Sequence, residues 1–268
     1  MRTIKIFGLL MLFAISASAQ ETSMHERYRK ILNLLAGSLT KMDKLYGHVN
    51  EITVGALSQT EVGAVLPLAF QCVHSPDDEI VEAGYDFLIS VMLRFDSAGL
   101  LGPYIDDLGK LAEEKDNSRR QLVLLILGSL KPKLPEKAIE YLKANLESTR
   151  NSNQETLVIA ASLLQAARTD APTVHRVLLV VSSRSDADLT SSVIRQLGLS
   201  RIRLPEAVNF ISSNLNQEDE FLRASAVDAA SRLDKDTRAQ FSSQLNRIAS
   251  DPKETQYVRQ QAAEALKP

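Results

Sequence analysis

Apolar residues recur at helical spacing along most of this chain. In residues 258–266, Val258, Ala262, Ala265 and Leu266 form one stripe of a helix, and Arg, Gln and Glu fill the other positions. A helix with a single narrow apolar stripe gains too little from its own burial to offset the entropy of ordering it. The pattern therefore predicts a helix that packs against neighbouring helices.

The same helical pattern returns several times at intervals of 33 to 39 residues. Its equivalent positions are 81, 120, 157, 190, 223 and 259. A second amphipathic segment precedes each copy, at residues 61–74, 103–114, 135–147, 172–183, 205–215 and 237–250. Four of these segments begin with proline, which is tolerated in the first turn because the amide there has no helical partner. The sequence therefore predicts about six helical hairpins, stacked so that each covers the apolar face of the next.

The repeat unit resembles the HEAT-repeat family in a short bacterial form. The resemblance is carried by the pattern D-x-x-x-[VL]-R-x-x-A-A-x-x-L in the best second helices and by the prolines that begin the first helices, and it covers residues 61–268. Tetratricopeptide repeats have a similar period, but their signature Trp, Gly and Tyr positions are missing. The resemblance implies an all-α fold, an α-solenoid whose second helices line the concave face.

The resemblance also implies a ladder of ion pairs between repeats. In the family, an Arg of the second helix joins an acidic residue of the preceding turn. Here the Arg is present at Arg120, Arg223 and Arg259. The acidic residues available as partners are Asp116, Asp219 and Glu254. Such exposed pairs are expected to contribute about 0–1 kcal/mol each.

The N-terminal part of the chain carries a different pattern. Arg2 and Lys5 precede a short apolar run and an A-x-A end, which predicts a signal peptide at 1–19, cleaved near Ala19, and export to the periplasm or the medium. The alternative, an uncleaved anchor, needs roughly 20 apolar residues, more than this run provides. Residues 20–60 are predicted to form a helical cap and a connection, with 47–59 either a short helix or extended.

Composition and charge exclude several classes of function. The chain has no Trp and 5% aromatic residues, which disfavours sandwiches, barrels and aromatic-lined pockets. Its formal net charge is −2, and Lys and Arg are not concentrated on one face, so nucleic acid is not an expected partner. Beyond the first residues, no segment is apolar enough to predict a membrane span.

Candidate catalytic and metal-binding residues do not form recognisable sets. Cys72, the single cysteine, is either a small buried hydrophobe or a reactive thiol. The four histidines lie far apart in a stacked array, and His25-Glu26 departs from H-E-x-x-H at Arg29. The acidic clusters at 77–79 and 186–188 fit helix capping better than calcium loops. We therefore expect no catalytic residues, metal or cofactor.

Two functions remain open at the sequence level. The favoured hypothesis is a non-enzymatic interaction scaffold that binds a protein or peptide along the concave face. The other is an enzyme or ligand carrier similar to the bilin lyases, a HEAT-like group that attaches linear tetrapyrroles to proteins. For the first hypothesis, the residues expected to point outward and contact the partner are Gln121, Ser162, Gln165, Arg195 and Asp228.

Overall fold

The computed structural model describes residues 58–74, 78–114 and 119–267, and every regular element in these ranges is a helix. This confirms the predicted all-α solenoid. The predicted signal peptide at 1–19 lies outside the described residues, and so does the predicted cap and connection at 20–60 up to residue 57.

The helices are named here in chain order. They are α1 (Gln59–Val73), α2 (Asp78–Arg94), α3 (Ser97–Leu101), α4 (Ile105–Glu113), α5 (Arg120–Gly128), α6 (Glu136–Leu146), α7 (Asn153–Ala166), α8 (Ala171–Ser183), α9 (Ala187–Leu199), α10 (Pro205–Asn214), α11 (Glu220–Arg232), α12 (Lys235–Ala239), α13 (Ser242–Ser250) and α14 (Gln256–Ala265). A 3₁₀ turn at Gly102–Tyr104 joins α3 to α4.

The described residues divide into two compact units, with the boundary between Leu100 and Leu101. In the first unit, α1 and α2 pack as a hairpin, and Gly84 of α2 lies so close to α1 that an added Cβ would come within 2.9 Å of the Cys72 Cβ. Cys72 is half-buried, and burial raises the pKa of its thiol. A raised pKa disfavours the thiolate, the form that a reactive cysteine needs.

The second unit is a stack of helical hairpins. The first helices are α4, α6, α8, α10 and α13, and the second helices are α5, α7, α9, α11 and α14. Leu, Ile, Val and Ala from both helices of each hairpin fill a continuous core; Leu124, Leu142, Ile159 and Ile194 are among its fully buried members. The predicted hairpin boundaries are thus reproduced to within a few residues in most repeats.

Two predicted first helices are interrupted. The segment 103–114 is preceded by α3, and Pro103 lies in the 3₁₀ turn before α4. The segment 237–250 breaks at Phe241, whose N–H donates to the Arg238 carbonyl at 3.0 Å in a tight i→i+3 turn. This turn places the Phe241 ring in the core, where 1% of the residue is exposed. Burial of this ring therefore accompanies the break between α12 and α13.

Acidic side chains fix the starts of several second helices. Asp186 accepts a hydrogen bond from the Leu189 N–H at 2.7 Å, and Asp219 accepts one from the Leu222 N–H at 3.1 Å. Ser152 and Glu155 form a reciprocal capping box at the start of α7. The capping role predicted for these acidic turns is confirmed at Asp186 and Asp219.

Helix α9 ends in a Schellman motif built around a non-glycine residue. The Ile202 N–H donates to the Leu197 carbonyl at 3.1 Å, and the Arg201 N–H donates to the Gly198 carbonyl at 3.0 Å. Arg201 has a φ of 51°, in the left-handed region that glycine adopts without steric cost. The following Ile202 is buried, so this turn also directs the chain into the next hairpin.

Candidate protein-binding surface

The second helices of the second unit form a closely packed layer. Consecutive members contact one another more extensively than consecutive first helices do. Small residues allow this approach: a Cβ added at Gly198 of α9 would lie 2.6 Å from the Ala229 Cα of α11. Within this unit the second helices thus form the more tightly packed of the two layers.

Arg120 joins two successive repeats, the α4–α5 hairpin and the α6–α7 hairpin. Its Nη1 donates to Asn151 Oδ1 at 2.7 Å and to Glu155 Oε1 at 2.9 Å, its Nη2 donates to Asn145 Oδ1 at 2.7 Å, and its Nε donates to the Ala112 carbonyl at 2.6 Å. Only 8% of the Arg120 side chain and 13% of the Glu155 side chain are exposed. The expectation of a weak, exposed ladder pair is therefore wrong at Arg120, which belongs to a buried network.

The pKa of Glu155 reflects this environment. Burial opposes the charged form of the carboxyl, but hydrogen bonds from Ser152 and Arg120 outweigh it and lower the pKa below its ordinary value. Glu155 thus carries its charge against the Arg120 guanidinium. This arrangement stabilises the stack of α4–α5, α6 and α7 without projecting charge from the surface.

Arg223 forms the second rung of the ladder, with a partner different from the predicted one. Its Nε and Nη2 bond to Glu254 at 2.6 and 3.0 Å, and its Nη1 donates to the carbonyls of Gln217 and Glu218. Asp219, the predicted partner, caps α11 instead. The acidic partner thus comes from the following repeat and not from the turn before the Arg. Glu254 lies in the turn before α14 and bonds to Arg223 in the first turn of α11.

Arg259 is the third ladder position, and its predicted partner Glu254 is bonded to Arg223 of the preceding repeat instead. The Nε of Arg259 is buried and has no hydrogen-bond partner among the described residues. The bond from Arg223 lowers the pKa of Glu254, despite the opposing effect of burial. The ladder is thus built at two of its three positions.

The five predicted contact residues have different surroundings. Gln121 of α5, Gln165 of α7 and Arg195 of α9 are exposed, and Asp228 of α11 is half-buried. Ser162 is buried with 8% exposure, so its predicted outward orientation is wrong. Its Oγ donates to the Val158 carbonyl at 2.7 Å, and the residue fills space beside Gly128 of α5, where an added Cβ would meet it at 2.0 Å.

Arg195 is exposed, and its side chain is held by one hydrogen bond from its Nε. Its Nε donates to Ser225 Oγ at 3.1 Å, and Ser225 itself is fully buried and bonded to Ser191 at 2.7 Å. Among the described residues no carboxylate pairs with its guanidinium. Arg195 therefore presents a positive charge from a fixed position on α9.

Asp228 does not present a free negative charge. Arg232, one turn further along α11, bonds both of its carboxylate oxygens at 3.0 to 3.2 Å. The negative charge of Asp228 is therefore neutralised by Arg232 on the same helix.

Sequence reasoning missed the exposed apolar residues of this layer. Phe221 and Tyr257 are 70% and 66% exposed, and Leu199 at the end of α9 is 58% exposed. The signal was present in the sequence, since Phe221 and Tyr257 each precede a ladder Arg by two residues.

A shallow depression lies on the opposite side of the stack, between the first helices α6 and α8. It is lined by Lys143, Leu146, Asp170, Pro172, Thr173 and Arg176. Its charges are paired, Lys143 with Asp170 at 3.2 Å and Arg176 with Glu147. This depression is therefore formed at the first helices and not in the second-helix layer.

The two histidines among the described residues lie far apart along the chain. His74 and His175 are exposed and lie in separate units. Within 58–74, 78–114 and 119–267, no group of three or more His, Cys, Asp or Glu is placed to hold a metal ion. The helices in these ranges are also too short or too polar to cross a membrane.

The fold has a counterpart among solved structures. A designed armadillo repeat protein is similar to this chain with a TM-score of 0.50 and 16% sequence identity, and the match covers 75% of this chain and 98% of that one. No protein-family model and no curated protein matches the chain. The helical repeat solenoid is thus established, while the assignment to HEAT repeats in particular stays a prediction.

Proposed function

We propose that this protein is a non-enzymatic interaction scaffold that binds a protein or an extended peptide along the second helices of its second unit. The observation that carries the proposal is the exposure of Gln121, Gln165 and Arg195 on three consecutive second helices. Helices packed side by side are about 8–10 Å apart, so these side chains are spaced along a strip suited to an extended chain. Affinity then accumulates over several small contacts.

The rigidity of this layer supports the proposal. The Arg120 network and the Arg223–Glu254 pair hold successive repeats in register through buried, multiply bonded groups. A preformed surface loses less conformational entropy on binding than a mobile one does. The strip therefore needs little rearrangement to receive a partner.

Arg195 is the residue that we assign the largest single contribution. Arg195 is exposed, its Nε is bonded to Ser225, and no carboxylate of the described residues pairs with it. Arginine is enriched among residues that dominate binding energies, because its planar fork donates several hydrogen bonds at once.

We further propose that the protein acts outside the cytoplasm, in the envelope or the secreted fraction. The support is the signal-peptide pattern of residues 1–19. Mass spectrometry of the N-terminus tests this directly, and the expected first residue of the mature protein is Gln20. An exported protein that retains Met1 would contradict the cleavage.

Site-specific photo-crosslinking in cells tests the binding surface. A photoreactive amino acid is placed at Gln121, Gln165 or Arg195, and in a control series at Lys110, Lys137 or Leu179, which are exposed on first helices. We expect the first series to crosslink one common protein, identified by affinity purification and mass spectrometry. Crosslinks that arise only from the control series would contradict the assignment.

A further inference from the structure

Phe221 and Tyr257 occupy the same position in two adjacent second helices. Each is the second residue after the N-cap, which is Asp219 in α11 and Thr255 in α14. They are the most exposed of the large apolar side chains in the described part of the chain. An aromatic ring at such exposure gains nothing from the fold, so two in equivalent positions form an unusual surface feature.

Phe221 and Tyr257 lie in the first turns of two helices that pack side by side. The Arg223–Glu254 bond of 2.6 Å joins the first turn of α11 to the turn before α14, so the two helices begin side by side. The distance between packed helices, about 8–10 Å, sets the distance between the two positions. The equivalent residues of α7 and α9 are Gln154 and Asp188, both polar, so the feature belongs to these two repeats alone within the second unit.

Acidic side chains surround this aromatic pair. Glu218, Asp219 and Glu220 are consecutive and exposed, and they directly precede Phe221. Asp188, exposed at the start of the neighbouring α9, adds a further negative charge. The dipoles of the helix N-termini favour acidic residues here, but they give no reason for the exposed rings.

Few cations balance these charges. Arg223 is committed to Glu254 and to two backbone carbonyls. Lys253 in the turn before α14 and Arg259 in the first turn of that helix are the remaining cations of residues 216–223 and 251–259, against the carboxylates of Glu218, Asp219, Glu220 and Asp251. The surface around Phe221 and Tyr257 is therefore both aromatic and negatively charged.

We propose that Phe221 and Tyr257 form a docking site for an arginine or lysine side chain of a partner segment. The cation lies over the faces of the two rings, where the quadrupole attracts it, and the carboxylates of Glu218 and Glu220 neutralise its charge. This inference rests on the proposed function and specifies its partner: a protein with a basic residue in an extended segment. A second copy of this chain is disfavoured as the occupant, because two copies meeting through this surface bring like charges together.

A peptide-binding measurement tests the site. The probes are a short fluorescein-labelled peptide that alternates Arg and Ala, and a matched peptide with Glu in place of Arg. Fluorescence anisotropy is expected to show binding of the Arg peptide only, with an affinity that falls as salt is added. No binding of the Arg peptide, or equal binding of both peptides, would overturn the proposal.

Matched variants locate the binding. The double variant Phe221→Ala/Tyr257→Ala is expected to weaken binding of the Arg peptide by about tenfold or more. Glu218→Gln/Glu220→Gln is expected to weaken it as well. Leu179→Ala, at an apolar residue of a first helix that is 57% exposed, is expected to leave it unchanged. Wild-type affinity in the aromatic double variant would overturn the proposal. So would a concentration-dependent dimer of wild-type protein that this variant abolishes in light scattering.

The outcome is separable from that of the proposed function. If crosslinking from Gln121, Gln165 and Arg195 identifies a partner while the aromatic double variant binds the Arg peptide normally, the aromatic site is wrong and the scaffold proposal stands. If the aromatic site binds the peptide but the second-helix positions give no crosslinks, the inference about a cation site holds and the wider binding strip is wrong.

Discussion

Arg223 and Glu254 form a two-bond ion pair across adjacent repeats, with Nε–Oε2 at 2.6 Å and Nη2–Oε1 at 3.0 Å. The Glu254 side chain is 5% exposed, so this pair is shielded from solvent and from salt. Its two parallel bonds fix the angle between α11 and the turn before α14. The pair thus holds two consecutive second helices, α11 and α14, in a fixed relative position.

The first prediction concerns the pH dependence of stability. Arg223 lowers the pKa of Glu254 below its ordinary value of 4.5, so the charged carboxyl stabilises the folded protein above that value. This stabilisation is lost as the pH falls through the lowered folded-state pKa. Urea unfolding followed by circular dichroism is expected to show a smaller acid-induced loss in Glu254→Gln than in wild type. Glu264→Gln, at an exposed residue, is the control; equal losses in wild type and Glu254→Gln would contradict the role of the pair.

A second prediction concerns the buried network of Arg120. Arg120→Ala leaves Glu155, Asn145 and Asn151 without their shared donor in a buried site, and we expect the free energy of unfolding to fall by about 3–5 kcal/mol. Arg176→Ala breaks an exposed pair with Glu147 and is expected to cost about 0–1 kcal/mol. Chemical denaturation measures both. Equal effects of the two substitutions would show that burial of the network contributes nothing.

A third prediction tests the close approach of the second helices. Gly198→Ala places a methyl group 2.6 Å from the Ala229 Cα, a backbone atom that cannot move without shifting α11. We expect a loss of about 1–3 kcal/mol in the free energy of unfolding. Gly102→Ala is the control, because nothing lies within 4 Å of its added Cβ, and its effect is expected to stay below about 0.5 kcal/mol. A wild-type melting temperature for Gly198→Ala would contradict the packing.

A fourth prediction uses the left-handed residue at the end of α9. Arg201 has a φ of 51°, and its Cβ makes that conformation costly by about 1 kcal/mol. Arg201→Gly is therefore expected to raise the free energy of unfolding by a similar amount, while Arg201→Ala, which keeps the Cβ, is expected to give no gain. Thermal unfolding of the two variants separates the backbone effect from the loss of the side chain.

The sequence contained enough information for the hairpins and too little for their contacts. The 3.6-residue period and the first-turn prolines located most helices, because both are local signals. The break at Phe241 depends on burial of its ring in the core, which no local signal encodes. The partner of Arg223 lies 31 residues further along the chain, so only the stacking of repeats reveals it.

The candidate surface shows the same limit at the level of single residues. A helical residue turns by about 100° relative to its neighbour, so a small error in the facing angle moves a side chain from the surface to the core. This is the case at Ser162, which lies beside Gly128 instead of facing outward. The prediction is less sensitive to this error at Arg195 and Gln121, which are exposed, because a long polar side chain can extend to solvent from a partly covered position on its helix.

The most direct test of the central claim is the effect of Arg195→Glu on partner binding. The exposed Arg195 lies on the second helix α9, and the matched variant Lys110→Glu reverses a charge on the first helix α4, where 73% of the Lys110 side chain is exposed. Binding of each purified variant to the crosslinked partner is measured by isothermal titration calorimetry, after circular dichroism has shown unchanged helix content. The account predicts that Arg195→Glu weakens binding by about tenfold or more and that Lys110→Glu leaves it unchanged. Unchanged binding in Arg195→Glu together with a loss in Lys110→Glu would contradict it.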